Sequence, residues 1–172
     1  EYLSDDLTIR AENFLEDMKK KDKPFFLYFA QLLVHRPWEG EKEYVEHFEK
    51  KPTKGWNDQS NAVYAAMIKS LDDSVGAIMK KLDELGLSDN PVLIFGSDNG
   101  GLQQSQKPVI ESITSNAPLC GGKGSVYEGG IRVPLIVRWP EHVKPDSRCN
   151  TPVLCTDLFP TLLDIAGIKR QN

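Results

Sequence analysis

Asp98 and Asn99 stand side by side in Ser97-Asp98-Asn99-Gly100-Gly101, immediately after the apolar run 92–95. A carboxylate next to an amide carbonyl presents the hard oxygen donors that calcium or magnesium takes. The same tetrapeptide D-N-G-G is also turn chemistry, since Asn, Asp and Gly tolerate left-handed backbone, so both interpretations stay open at this point. His35 follows another apolar run, 25–30, and opens His35-Arg36-Pro37-Trp38, which reads either as a reactive imidazole or as a packed, rigid wall. Lys123 lies in Gly121-Gly122-Lys123-Gly124, where glycine lets backbone come close to a ligand. A phosphate-binding P-loop is excluded, because G-x-x-x-x-G-K-[ST] needs glycine at Ala117 and Ser or Thr at Gly124.

These residues need elements to hold them. Leu7, Ala11, Phe14, Leu15 and Met18 recur at spacings of three and four behind Asp5 and Asp6, which predicts an amphipathic helix that closes on Lys19 to Lys23 and stops at Pro24. Residues 25–30 and 92–95 are unbroken apolar runs, as expected of strands buried on both faces of a mostly parallel sheet, and Val133 to Val137 makes a third. Between them, 39–57 is a charged and aromatic excursion with one short helix, in which His47 is a surface residue. A long helix carries Val63, Met67, Leu71, Val75, Ile78, Leu82 and Leu85 to a left-handed cap at Gly86. Within it, Asp72 faces Lys69 or orients another group, and Asp73 is solvated. Residues 102–119 form a long loop, and Thr156 with Asp157 caps a last helix ended by Gly167. Parallel packing would set His35 and the Asp98–Asn99 pair on one rim, beyond the carboxyl ends of the strands, where open α/β sheets bind ligands.

Composition narrows the function classes. The chain has 172 residues, 40 % hydrophobic and 27 % charged, with 21 Lys and Arg against 25 Asp and Glu, a net charge of −4. That balance leaves no broad cationic surface for nucleic acid, and no apolar run approaches the ~20 residues of a membrane span. Cys120, Cys149 and Cys155 have no C-x-x-C spacing, which argues against a zinc knuckle or a thioredoxin-like site. Glu1 opens directly into a helix, so any targeting segment is expected outside this chain, and no N-x-S/T acceptor occurs.

Five stretches taken together resemble the sulfatase family of the alkaline phosphatase superfamily: K-P-F-F-L-Y-F-A with H-R-P-W at His35; Y-A-A-M-I-K-S-L-D-D-S-V-G from Tyr64; V-L-I-F-G-S-D-N-G-G from Val92; G-G-K-G-S-V-Y-E-G-G-I-R-V-P-L-I-V-R-W-P from Gly121; and D-L-F-P-T-L-L-D-I-A-G from Asp157. The resemblance implies a partial alkaline-phosphatase-like α/β sandwich, with a mostly parallel sheet and flanking helices. It also implies hydrolysis of a sulfate monoester, on a small molecule or a glycan, by metal-assisted sulfuryl transfer. By the family's motifs, Asp98 and Asn99 would ligate Ca2+ (Mg2+ as the substitute), His35 would hydrogen-bond the sulfate or help the leaving oxygen depart, and Lys123 would bind the sulfate next to the ester oxygen. Trp38 and Arg132 would support them.

Three family features are missing from these residues, the second Lys and His group among them. The nucleophile, a formylglycine made from Cys or Ser in C/S-x-P-S/A-R, has no matching string: Cys120 leads into G-G-K, Cys149 into N-T-P and Cys155 into T-D-L. The early Asp-Asp pair of the calcium site is also absent. Residues 1–172 are therefore expected to be part of a sulfatase catalytic domain, lacking the N-terminal nucleophile region and a C-terminal subdomain, inactive in isolation and with exposed apolar surface where further strands would pack. Family habit favours a periplasmic or secreted location over a lysosomal one. A non-catalytic module that binds a sulfated ligand, and a phosphoester hydrolase of the same superfamily, are the alternatives. Substrate choice would reside in loops such as 39–57 and 102–119.

Overall fold

The computed structural model describes residues 2–52, 59–103 and 113–169. In chain order these form α1 (Leu3–Lys21), α2 (Lys42–Glu49), α3 (Ala62–Glu84), β1 (Leu93–Gly96), α4 (Glu128–Ile131), β2 (Leu135–Arg138) and α5 (Cys155–Ile165). The portions of the two variable loops at 53–58 and 104–112 lie outside the described residues.

α1 begins with Asp5 and Asp6 in its first turn and ends with Lys19, Lys20 and Lys21 in its last, so both ends complement the helix dipole. The stop comes before Pro24: Asp22 adopts a left-handed conformation (φ 48°), and its N–H caps the Lys19 carbonyl. α3 uses Asn61 as its N-cap, whose side chain accepts from the Tyr64 N–H at 2.8 Å. Gly86, at φ 62°, takes the left-handed turn just beyond its end.

The buried faces are rotated slightly from the apolar stripes expected of the sequence. α1 buries Ser4, Thr8, Ala11 and Leu15, and α3 buries Ala66, Met67, Ser70, Ser74, Ile78 and Leu82. Small hydroxyl residues occupy the upper half of this contact, where Thr8 and Ser74 pair with each other. Thr8 Oγ1 and Ser74 Oγ lie 2.6 Å apart, and Gln31 Nε2 donates to the same Ser74 oxygen at 2.8 Å. Lower down, Ala11, Leu15, Ile78 and Leu82 form an apolar core, against which Phe14, Leu27, Phe29, Leu85, Leu87 and Leu93 pack.

The segment 25–30 departs from its expected form. Among the described residues it joins no sheet ladder, and its burial alternates: Leu27 and Phe29 face the helical core while Phe26 and Tyr28 are 69 % and 81 % exposed. The two assigned strands pair antiparallel, not parallel, with Leu93 opposite Arg138 and Gly96 opposite Leu135. The physical reason is the return path: β2 begins beside the residue where β1 ends, so the glycine-rich segment between them folds back upon the strand end. Leu135, Ile136 and Val137 of β2 are exposed, and α5 buries none of its residues, which is the uncovered apolar surface expected of so thin a sheet. α5 also starts before Thr156: the Asp157 carboxylate accepts from the Leu154 N–H at 2.8 Å, acting from the first turn and not as the residue preceding it.

α2 stacks on α3 through a charged cluster. Gly40 permits the approach, since a Cβ there would lie 2.8 Å from both the Ala66 Cβ and Val45 Cγ2. Ser70 donates to Glu41 at 2.7 Å, Tyr44 donates to Asp73 at 2.6 Å, and Lys69 contacts the other Asp73 oxygen. Asp73 is thus paired where solvation was expected, and Asp72, 80 % exposed, faces Lys69 at 3.9 Å. The Lys69 hydrogen bond first, and then that of Tyr44, hold Asp73 below the usual carboxylate range. Donation to Asp73 pushes the Tyr44 phenol up to about 12.

The signs follow from linkage. Tyr44 contributes stability that is complete below the ordinary phenol value of about 10 and is lost as pH rises through about 12. Asp73 contributes stability above about 3.9 that is lost as pH falls through its lowered value. Tyr44→Phe should remove one high-pH tyrosinate transition from an absorbance titration. Because both partners are partly solvated, it should cost only ~1 kcal/mol at neutral pH. Loss of a transition at the ordinary phenol value of about 10, and not of one near 12, would contradict this pairing.

Candidate functional site

The site is built from backbone more than from side chains. β1 runs into Ser97, Asp98 and Asn99 and then into Gly100, which is buried. The Gly100 N–H donates to the Gly130 carbonyl at 2.9 Å, and the Lys123 N–H donates to the Gly101 carbonyl at 3.0 Å. The Gly129 N–H in turn reaches Cys120 O at 2.8 Å, closing the loop that carries Lys123. These approaches leave no room for a side chain. A Cβ on Gly100 would run into the Gly129 carbonyl, one on Gly129 into the Gly121 carbonyl, and one on Gly130 into the Ser125 carbonyl.

This packing brings Lys123 to the strand end that bears Asp98 and Asn99, and it leaves the functional atoms in solvent. Asp98 and Lys123 are exposed, and among the described residues neither side chain has an ion-pair partner. Asn99 is half-buried; its Nδ2 donates to Gly100 O at 3.1 Å, which leaves its Oδ1 as the ligand-capable end. Ser97 Oγ donates to the Asn99 carbonyl at 2.9 Å and steadies the turn. The D-N-G-G segment is thus a strand-end turn, with the Asp98 side chain exposed and that of Asn99 half-buried.

His35 is carried by a different segment, the turn that follows residues 25–30. Its N–H donates to Leu32 O at 2.9 Å, its exposed ring has Nδ1 2.9 Å from Arg36 O, and among the described residues no hydrogen bond or ion pair joins it to Asp98, Asn99 or Lys123. Beside it the Arg36 guanidinium stacks over the Trp38 ring at 5.2 Å, so both residues serve the turn that carries the imidazole. Arg132 is committed to Glu128 at 3.5 Å.

Two oxygens from Asp98 and Asn99 match calcium in kind, but calcium takes about six to eight. No group of three or more His, Cys, Asp or Glu that could hold a metal occurs among the described residues. The two oxygens alone are fewer than a calcium shell requires.

Asn116 escaped the sequence reading. It sits in what reads as a featureless polar loop, and only the fold shows its carboxamide between Gly101 and Gly121. No spacing rule flags a single asparagine whose partners are all main-chain groups.

The pattern that defines the Sulfatase family matches residues 1–168. A sulfatase of Formosa agariphila is 33 % identical over 98 % of this chain and 30 % of its own length. Human steryl-sulfatase is 32 % identical over 96 % of this chain and 26 % of itself. An N-acetylgalactosamine-6-O-sulfatase of Bacteroides thetaiotaomicron is 37 % identical over 86 % of this chain and 27 % of itself. The chain thus spans less than a third of the length of these curated relatives. Among solved structures, Ps i-CgsB in complex with k-i-k-neocarrahexaose superposes with a TM-score of 0.87 at 35 % identity, covering 99 % of this chain and 35 % of that one. The expected alkaline-phosphatase-like fold is that of these neighbours, of which this chain represents about a third.

The backbone contacts generate a stability prediction. Gly100→Ala should destabilise the fold by about 3 kcal/mol, because the methyl must displace main chain that has nowhere to relax. Gly76→Ala, where a Cβ meets nothing, should be neutral or slightly stabilising as a helix substitution. Equal melting temperatures for the two variants would refute the close approach.

Proposed function

Because the chain belongs to the sulfatase family, we propose that the protein carrying it hydrolyses a sulfate monoester, with Lys123 and His35 acting on the sulfate and Asp98 and Asn99 contributing to a calcium site. The observation that carries this reading is the Lys123 N–H to Gly101 O bond, which joins the lysine loop to the strand end bearing the oxygen donors. An exposed ammonium, on a loop hydrogen-bonded to the strand end that bears two hard oxygens, suits a sulfate monoester anion whose oxygens are shared between a cation and a metal.

Sulfuryl transfer asks little covalent work of these residues and much positioning, as phosphoryl transfer does. Negative charge grows on the departing ester oxygen. The Lys123 ammonium, placed beside that oxygen, stabilises the transition state more than the ground state. His35 donates a hydrogen bond to the sulfate or a proton to the leaving oxygen. Asp98 and the Asn99 Oδ1 would hold calcium (magnesium as the substitute), which when bound offsets charge on the sulfate oxygens. The chain contains no C/S-x-P-S/A-R string, so the formylglycine nucleophile is assigned to a segment outside these residues, and the 172 residues alone are proposed to be inactive.

A glycan sulfate is the favoured substrate class. The support is that Ps i-CgsB was solved with k-i-k-neocarrahexaose, and that the Bacteroides relative is an N-acetylgalactosamine-6-O-sulfatase.

In the full-length protein, Lys123→Ala should lower kcat/KM on 4-nitrophenyl sulfate by about 10²–10³, and His35→Ala by about 10²–10⁴. Chelation should abolish turnover, and calcium should restore it. Faster hydrolysis of 4-nitrophenyl phosphate than of the sulfate would move the protein to the phosphoester branch. Metal-independent binding of a sulfated oligosaccharide without turnover would make it a binding module.

A further inference from the structure

Lys123 ends in a flexible four-carbon stem whose ammonium has no ion-pair partner among the described residues. The loop backbone carries the root of that side chain, and the Gly101 carbonyl is one of the loop's anchors. Gly101 O accepts the Lys123 N–H at 3.0 Å and also the Asn116 Nδ2 at 2.9 Å. The same Nδ2 donates to Gly121 O at 3.1 Å, while Asn116 Oδ1 accepts the Gly101 N–H at 3.1 Å. Two carbonyls require a donor and one N–H requires an acceptor, so the carboxamide has a single orientation that satisfies all three.

The fit around this side chain is close. A Cβ on Gly122 would lie 2.9 Å from Asn116 Nδ2, and one on Gly101 would lie 3.0 Å from its Oδ1. The residues before Asn116 are in turn fastened toward α3. Gln59 donates to Ser115 O at 3.3 Å and accepts from Thr114 Oγ1 at 3.3 Å. Thr114, buried, also hydrogen-bonds Tyr64 in the first turn of α3, whose phenol is pushed up by burial and drawn partly back by that bond.

Resting on the assignment of Lys123 to the sulfate, we propose that Asn116 is a positioning residue for that lysine. Its carboxamide ties Gly101, just past the Asp98–Asn99 pair, to Gly121 at the start of the lysine loop, and so sets the Lys123 charge relative to the two oxygen donors. Asn116→Ala removes all three bonds. Asn116→Asp keeps the shape and the acceptor for the Gly101 N–H but turns an oxygen toward two carbonyls.

The test uses the full-length protein, with kinetics on 4-nitrophenyl sulfate at a temperature where circular dichroism shows each variant folded. Amide hydrogen exchange at Lys123 is followed in parallel. Both variants should lower kcat by about tenfold or more, with KM within about threefold, because the displaced cation acts on the departing oxygen. Lys123 amide exchange should quicken by about tenfold or more, while α1 and α3 keep wild-type protection. A folded variant with wild-type kcat, or unchanged exchange at Lys123, overturns the proposal. If the wild type itself hydrolyses no sulfate ester, the functional assignment fails separately, and exchange at Lys123 alone decides whether Asn116 holds the loop.

Discussion

The contact between Gly100 and Gly129–Gly130 is the constraint on which the rest of the site depends. Two stretches of main chain approach so closely that neither admits a Cβ, and a backbone hydrogen bond from Gly100 to Gly130 spans them. From that contact follow the antiparallel return of β2, the placement of the Lys123 loop and the display of Asp98 and Asn99 at the strand end. Glycine's cost in unfolded-state entropy is offset here by a geometry that no other residue can adopt.

The helical half of the molecule answers a different demand. α1, α2 and α3 pack through an apolar centre and through hydroxyl and charged contacts, with Thr8, Ser74 and Gln31 sharing hydrogen bonds at one level and Tyr44, Asp73 and Lys69 at another. Such contacts specify which faces meet, because an unpaired buried hydroxyl or carboxylate is penalised in any other register. Beside the packing of Leu93 on the helical core, Gln59, Tyr64 and Thr114 tie the loop before the lysine to the start of α3.

The side chains of Lys123 and Asp98 are solvated, while backbone hydrogen bonds fix the segments that carry them. The apolar residues of β2 and Phe159 of α5 are exposed, in a chain that spans less than a third of the length of its curated relatives.

Much of the architecture was legible in the residues. The helix ends at Gly86 and Gly167, the short helix in the 39–57 excursion and the strand 92–95 with its polar tail all follow from local rules, because left-handed turns and apolar runs depend on near neighbours. The family motifs likewise named the site residues as candidates. The tertiary structure alone decided three things. Segment 25–30 lies one-sided against helices instead of inside a ladder. Asp73 is paired because α2 folds back on α3. The Lys123 loop is held at the Asp98–Asn99 turn by Asn116 and by glycine main chain. These outcomes rest on partners far apart in sequence, and most of those partners are backbone atoms, which carry no residue identity for a pattern to reveal.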